Sequence, residues 1–293
     1  MATRSQWFAA TRPRTLPAAV APVLVGTAIA YNLDAFDPVL ALLAAIVALT
    51  LQVGVNYSND YSDGVRGTDE VRVGPTRLVG QGLASAAAVK RAAFLAFGAA
   101  ALAGLMIMLL TGNWWLVIVG ALAIVSAWYY TGGTNPYGYL GLGEVFVFVW
   151  FGLVAVVGTV YIQTASFGDG RSWWLGAGSG ALSCALLVAN NLRDIPTDRE
   201  SGKRTLAVKL GERATRVFFV LLLLAGMGAP LLLPIVRGDI RVIDALFLVP
   251  FLIAHVPGRR VLAGASGLEL LPVLGATGRI LLVWSLCVSA TML

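Results

Sequence analysis

Residues 38–63 read PVLALLAAIVALTLQVGVNYSNDYSD, an uncharged apolar run that passes directly into a knot of Asn, Ser and Asp. Crossing the hydrocarbon layer takes roughly 20 predominantly apolar residues, and positions 39 to 57 supply them. The stretch therefore predicts a membrane-spanning helix whose polar groups gather at one end. Working outward, the same test marks residues 16 to 33, 92 to 111, 114 to 131, 143 to 164, 173 to 193, 215 to 236, 241 to 256 and 272 to 292. With the first run this makes nine spans, an all-α membrane protein with a single transmembrane domain over residues 1–293. Composition agrees. Of the 293 residues, 58% are hydrophobic and only 12% charged, with a mean hydropathy of +0.81, so the bilayer is the main solvent and a soluble fold is excluded.

The net charge of +6 matters less than its placement. With the N-terminus in the cytoplasm, 18 of the 21 basic residues fall in inside segments, and only Arg171, Arg237 and Arg241 fall outside. The positive-inside rule then sets the orientation, in a cell membrane, with N-terminus and polar loops cytoplasmic. Basic residues spread over short loops in this way answer to the bilayer and predict no nucleic-acid partner. The start, with Arg4, Arg12 and Arg14 ahead of an apolar stretch ending Ala28-Ile29-Ala30, has the outline of a signal peptide. Pro17 and Pro22 interrupt it and eight spans follow, so it reads as the first span. Cys184 and Cys287 sit within apolar runs without ligand-like spacing and read as small hydrophobes. Trp114, Trp115, Trp173 and Trp174 open spans on the outer side, as an aromatic belt would.

The two most polar inside segments, about 58–91 and 193–214, follow the second and sixth spans and so emerge on one face. Polar groups near membrane depth are costly unless they line a cavity or a site. If the second span stays helical, Asn56, Asn59, Asp60 and Asp63 fall at i, i+3, i+4 and i+7, on one helix face. Asn191, Asp194 and Asp198 fall likewise at i, i+3 and i+7, with Asn190 beside them and Pro196 expected to loosen the helix beyond Asp194. Paired carboxylates repel unless a cation lies between them, and carboxylates with waters and substrate phosphates are the usual ligands of Mg2+. Arg72 and Arg77 after the first cluster, and Lys203 and Arg204 after the second, can hold phosphate oxygens that the metal does not cover.

Acid and base beside a greasy pocket suit a diphosphate carried on an apolar chain. Departure of the diphosphate leaves an allylic cation. The metal and the basic groups would stabilise the growing negative charge, and the π faces of Tyr57, Tyr61, Tyr129 or Tyr130 could steady the cation. Two such clusters on one face outweigh the plainer account of solvated span ends. A transporter shares the polar groups and could share the echo of one cluster in the other as an internal repeat, but its charges should sit near mid-membrane; here they collect at one face.

The spacings Asn59-x-x-x-Asp63 and Asp194-x-x-x-Asp198 resemble the paired motifs of the UbiA superfamily of intramembrane aromatic prenyltransferases. More narrowly, Arg12-Pro-Arg-Thr-Leu-Pro17, the stretch from Asn56 to Asp69, Tyr130-Thr-Gly-Gly-Thr-Asn-Pro-Tyr-Gly-Tyr139 with Gly141-Leu-Gly-Glu144, and Asn190-Asn-Leu-Arg-Asp194 resemble the branch that prenylates 1,4-dihydroxy-2-naphthoate. The resemblance covers nearly the whole chain. It implies a nine-helix bundle around a central cavity open to lipid, capped by the two polar segments. The reaction it implies joins a polyprenyl diphosphate to dihydroxynaphthoate with loss of diphosphate and CO2, giving demethylmenaquinone.

Residue by residue, the resemblance implies catalytic carboxylates at Asp60, Asp63, Asp194 and Asp198 and Mg2+ ligands at Asn59, Asp63, Asp194 and Asp198. Diphosphate would be held by Asn56, Asn59, Arg72, Arg77, Asn190, Asn191, Lys203 and Arg204. Many members carry a further Asp four residues after the first motif; here that place is Gly67, and Asp69 follows two residues later. For the aromatic acceptor the expected contacts are Tyr130, Tyr137, Tyr139 and Glu144, on a glycine-rich loop returning to the same face, with Arg12 and Arg14. Arg12 and Arg14 suit equally an interfacial helix anchored by Trp7 and Phe8, and Glu144 suits a helix start. His255, the sole histidine, reads as an interfacial residue.

Overall fold

A computed structural model gives the structure of the protein and describes residues 2–68 and 76–293. The helices are α1 (Arg4–Ala10), α2 (Pro17–Asn32), α3 (Pro38–Val65), α4 (Ala86–Thr111), α5 (Leu116–Tyr129), α6 (Gly143–Thr164), α7 (Gly170–Glu200), α8 (Leu206–Arg237), α9 (Val242–Leu262) and α10 (Gly267–Ala290). Each of the nine apolar runs is helical, but the expected count of nine spans is not reached. Among the described residues seven helices are long and apolar enough to cross, or eight if α1 and α2, bent by 52° at their junction, are one span. The exception is α5, whose 14 residues reach about 21 Å at 1.5 Å per residue, short of a hydrocarbon layer of about 30 Å.

Capping explains where the long helices begin. The Asp37 carboxylate accepts the Val39 and Leu40 N–H groups ahead of Pro38 at the first helical position of α3. Ser85 and Asp169 do the same for α4 and α7. Two helices outrun their apolar windows. α3 continues to Val65, so the whole first cluster is helical. α7 continues through Pro196 to Glu200, and the loosening expected at that proline does not occur. Among the described residues, 58–65 and 86–91 of the first polar segment and 193–200 and 206–214 of the second are consequently helix rather than loop.

The bundle divides into two unequal parts, with three apolar clusters among the described residues. α2 and α6–α10 share one large cluster that includes Val25, Leu182, Phe219, Ile280 and Trp284. α1, α3, α4 and α5 share a smaller one near the polar end, around Tyr57, Leu78 and Phe97. A third, with Val23, Leu40, Ala44, Ile107 and Ile162, closes the opposite end. α7 is the axis of the larger part, with 78% of its apolar window buried against 22% for α3. α5 leans on α3 and α4 and buries only Ala127. Between the two parts lies a cavity.

α6 reaches α7 through its middle, where residues Val149–Val154 form wider, π-helical turns. At the crossing Gly152 faces Gly176 and Gly180; a Cβ on Gly152 would lie 2.6 Å from both the Gly176 carbonyl oxygen and the Gly180 Cα. Gly152→Ala is therefore expected to destabilise the bundle by about 1–3 kcal/mol, read as a lower melting temperature in detergent. Gly158→Ala, on the same helix with open space around the new Cβ, should melt like the wild type; equal shifts for both would overturn the account.

Candidate active site

The cavity measures about 1170 Å³ and runs from a polar mouth into an apolar interior. α3 turns Gln52, Asn56, Asn59 and Asp63 into it, and α7 turns Ser183, Asn190, Asn191 and Asp198. Arg77 and Lys203 join them at the mouth. Deeper in, the wall is small and apolar, with Ala48, Ala100, Gly104 and Gly120 among its residues. A polar head and a long hydrocarbon tail are accommodated by such a shape.

The two clusters meet at Asp63. Its Oδ1 accepts the Tyr139 hydroxyl at 2.6 Å and pairs with Lys203 Nζ at 3.1 Å. Lys203 also lies over the Tyr139 ring, 4.7 Å from its centroid. All three come from different segments: the end of α3, the turn between α5 and α6, and the turn between α7 and α8. Both charged side chains of the pair are buried, so each depends on the other, because a buried charge that loses its partner is expensive. Burial, the nearby Asp63 charge and their hydrogen bond all push the Tyr139 phenol above its ordinary pKa, keeping it a donor at neutral pH.

Other members of the first cluster hold the scaffold. Asp60 does not line the cavity; its Oδ2 accepts the Leu78 N–H at 2.7 Å and its Oδ1 the Val79 N–H at 3.0 Å. Asp60 thus grips the backbone directly after Arg77, which is buried and lines the mouth. The Asn56 amide donates to the Thr11 carbonyl at 2.8 Å and the Tyr57 hydroxyl to that of Trp7 at 3.1 Å. Together they fasten α1 over the end of α3. Asn59 Oδ1 accepts the Thr131 hydroxyl at 2.8 Å. Arg66, absent from the expected site, donates to the carbonyls of Thr131 and Gly133 and so binds the end of α3 to the turn after α5.

In the second cluster Arg193 was likewise not anticipated, although it stands inside the motif. Its guanidinium gives two bonds of 2.8 Å to the Asp194 carboxylate and one of 2.7 Å to Asn190 Oδ1. Asp194 therefore faces Arg193 and does not line the cavity, whereas Asp198 does. The Asn191 amide donates to Glu144 Oε1 at 3.0 Å, and Glu144 lies behind it, off the cavity surface. The Arg204 side chain is exposed and off the cavity; its backbone N–H binds the Tyr139 carbonyl at 2.9 Å. Arg72 and Asp69 lie outside the described residues.

Of the tyrosines proposed to face a cation, Tyr130 lines the cavity while Tyr57, Tyr61 and Tyr129 do not. Tyr61 instead stacks on Trp128 with Lys90 over both rings. Tyr137 and Tyr139 line the wall with Arg12 and Arg14, but the Tyr137 hydroxyl is committed to the Ser126 carbonyl at 2.9 Å. Among the described residues no three His, Cys, Asp or Glu side chains gather closely enough to hold a metal ion alone. A Mg2+ that keeps waters and takes one or two carboxylates, with phosphates completing its octahedron, fits the oxygen donors Asp63, Asn59 and Asp198.

Residues 19–259 match the UbiA prenyltransferase family. The chain is 48% identical to a 1,4-dihydroxy-2-naphthoate octaprenyltransferase of Mycobacterium tuberculosis, over 100% of this chain and 98% of that protein. Its fold is similar to that of a UbiA homolog from Aeropyrum pernix, at a TM-score of 0.71 and 14% identity over 96% of this chain and 97% of the other. It is also similar to a UbiA homolog from Archaeoglobus fulgidus bound to DMAPP and Mg2+, at a TM-score of 0.61 and 15% identity over 97% and 99% of the two chains.

Asp60→Asn turns an accepting oxygen into an amide that faces a backbone N–H. The expected loss is about 1–3 kcal/mol, seen as a lower melting temperature and faster protease cleavage between α3 and α4. An unchanged melting temperature with wild-type cleavage would show that the two bonds do not secure that connection.

Proposed function

The chain belongs to the UbiA prenyltransferase family, and on that footing we propose that it transfers a polyprenyl group from polyprenyl diphosphate to 1,4-dihydroxy-2-naphthoate. Diphosphate and CO2 leave, and the product is the demethylmenaquinone nucleus in its reduced, quinol form. The observation that carries this reading is the joining of both polar clusters at Asp63 over an apolar cavity. The acceptor is supported by the likeness to the mycobacterial enzyme along the full chain.

In this reading the diphosphate lodges at the mouth against Lys203 and Arg77, and the polyprenyl tail fills the apolar interior. Asp63, Asp198 and Asn59 hold Mg2+, which when bound supplies charge neutralisation at the diphosphate oxygens. Lys203 exchanges its carboxylate partner for phosphate as the substrate arrives, so the buried charges of the resting site are never left unpaired. The bond between C1 of the chain and the diphosphate oxygen breaks, its electron pair departing with the diphosphate, whose growing charge Lys203 and Arg77 stabilise. Tyr130 offers its π face to the allylic cation. The ring carbon bearing the carboxylate attacks C1, and release of CO2 returns an electron pair to the ring.

Burial of the site protects the cation from water. The Asp60 clasp on Leu78 and Val79 keeps Arg77 aimed at the mouth. Asp194 keeps Arg193 in place, and Arg193 in turn orients Asn190. The excess of basic residues on the face that carries the mouth supports a cytoplasmic mouth in a cell membrane.

Incubating the purified protein in detergent with dihydroxynaphthoate, a polyprenyl diphosphate and Mg2+ should yield a prenylated naphthoquinone by mass spectrometry, and chelation of the metal should stop it. Product from 4-hydroxybenzoate and none from dihydroxynaphthoate would sink the acceptor assignment. Asp63→Asn should lower turnover at least about a hundredfold in a protein that still folds; near-normal turnover would remove Asp63 from the site.

A further inference from the structure

We infer that Glu144 is a positioning residue that turns Asn191 so that its amide oxygen receives the hydroxyl of the aromatic acceptor beside the carbon that attacks. The inference rests on the reaction proposed above. Glu144 is 6% exposed and off the cavity surface, and no step of that reaction uses it. Its carbonyl accepts the Cys184 thiol at 3.1 Å and its Oε1 the Asn191 amide at 3.0 Å, so backbone and side chain are both held against α7. Its Oε2 is buried without a partner. A carboxylate so placed is costly in a membrane bundle, and an uncharged cap would start the helix as well.

What Glu144 does is plainest beside Asn190. The two asparagines are chemically identical neighbours that both line the cavity, yet they are turned in opposite senses. The Arg193 cation takes the Asn190 oxygen and leaves that amide's N–H groups to the cavity. The Glu144 carboxylate, which as an anion only accepts, takes the Asn191 amide and leaves the oxygen. That Oδ1 has no partner in the protein and, unlike Glu144 Oε2, is not sealed from the cavity. Asn191 is itself 7% exposed, so the cavity meets a fixed hydrogen-bond acceptor there.

An acceptor excludes most of what enters the cavity. Diphosphate oxygens are themselves acceptors, so the diphosphate contact expected of Asn191 from its motif is closed while Glu144 holds the amide. The polyprenyl chain has no N–H or O–H to give. Mg2+ at Asp198 is out of reach, because Asn191 stands seven residues earlier on the same helix, about 10.5 Å along the axis, against metal–oxygen bonds of about 2.1 Å. What remains is a hydroxyl, which the aromatic acceptor brings. The same interval suits it. Diphosphate bound at Asp198 sets C1 partway down, and an attack distance of about 3–3.5 Å followed by a hydrogen bond of about 2.8 Å covers the rest.

Only one of the two hydroxyls bears on the reaction. Attack by the carbon that carries the carboxylate draws electrons from the hydroxyl on the adjoining carbon, whereas the other hydroxyl is meta to it and supplies none. Positive charge grows on that adjoining oxygen, and a fixed acceptor beside it stabilises the transition state more than the ground state.

The test uses full-length wild type, Glu144→Leu, Asn191→Ala and the double variant in detergent with Mg2+. Calorimetry with a non-hydrolysable prenyl thiodiphosphate gives Kd for dihydroxynaphthoate and for its 1-methoxy and 4-methoxy ethers, and kinetics give KM for both substrates. Each single variant should raise Kd and KM for dihydroxynaphthoate, and Kd for the 4-methoxy ether, roughly three- to tenfold. KM for the polyprenyl diphosphate and the Mg2+ requirement should not move. The double variant should lose no more than Asn191→Ala alone, because Glu144 acts through Asn191. The 1-methoxy ether, with no hydroxyl to give at that carbon, should bind wild type and variants alike. Additive losses, a 1-methoxy ether weakened as much as the parent, a shifted KM for the polyprenyl diphosphate, or no change in Kd would each overturn the inference. Glu144→Leu removes an unpaired buried oxygen and should fold; if it does not, Glu144→Asp, one methylene short of Asn191, takes its place. A wild type that binds dihydroxynaphthoate without prenylating it would defeat the proposed function and leave the Kd comparison to decide this one.

Discussion

One buried carboxylate joins the two parts of this protein at the place where they would otherwise separate. Asp63 ends the thinly packed group of α3, α4 and α5, while Lys203 follows the densely packed α7 and Tyr139 leads into α6. The apolar clusters of the two parts are distinct, so at the mouth polar contacts do the joining. A hydrophobic seam there would close the cavity. An ionic one holds the walls apart at a fixed distance and can be reopened by a ligand of matching charge. In the proposed reaction the charge that meets the diphosphate and the charge that spaces the walls are the same charge.

Around that contact the structure spends many polar side chains on holding backbone. Asp60, Asn56, Arg66 and Arg193 resemble site residues by type, yet they clasp amides, carbonyls and neighbouring side chains. Loops at the end of a membrane bundle have few apolar contacts of their own, and charge-assisted bonds to backbone are the available means of fixing them. A rigid mouth is needed if a cation is to meet carbon before water.

The helical faces were legible in the sequence because spacing alone sets them: Asn56, Asn59 and Asp63 do look into the cavity together, as do Asn190, Asn191 and Asp198. What spacing cannot show is where a side chain's partner comes from. Asp60 shares the first face by number, but the amides that capture it lie eighteen and nineteen residues on. Asp194 is drawn away by its own neighbour, Arg193, whose guanidinium the motif spacing alone does not aim. Glu144 lies behind Asn191 through a contact that spans forty-seven residues. Span counting erred for another reason. Hydropathy sees the apolar run through Trp114 and Tyr130 but not that its helix begins only at Leu116 and ends at Tyr129.

The wide turns in the middle of α6 have a consequence for rotation. Phe146, Trp150, Val154, Gly158 and Ile162 all line the cavity at steps of four residues. In a regular helix of 3.6 residues per turn each such step would advance the stripe by about 40°, and after four steps it would have wound to the far side. Residues Val149–Val154 unwind part of that drift, so one edge of the helix can serve as a straight wall from mouth to floor. The residue count of this segment is therefore under constraint even where residue identity is not: a chain that gained or lost one position there would re-phase everything beyond it.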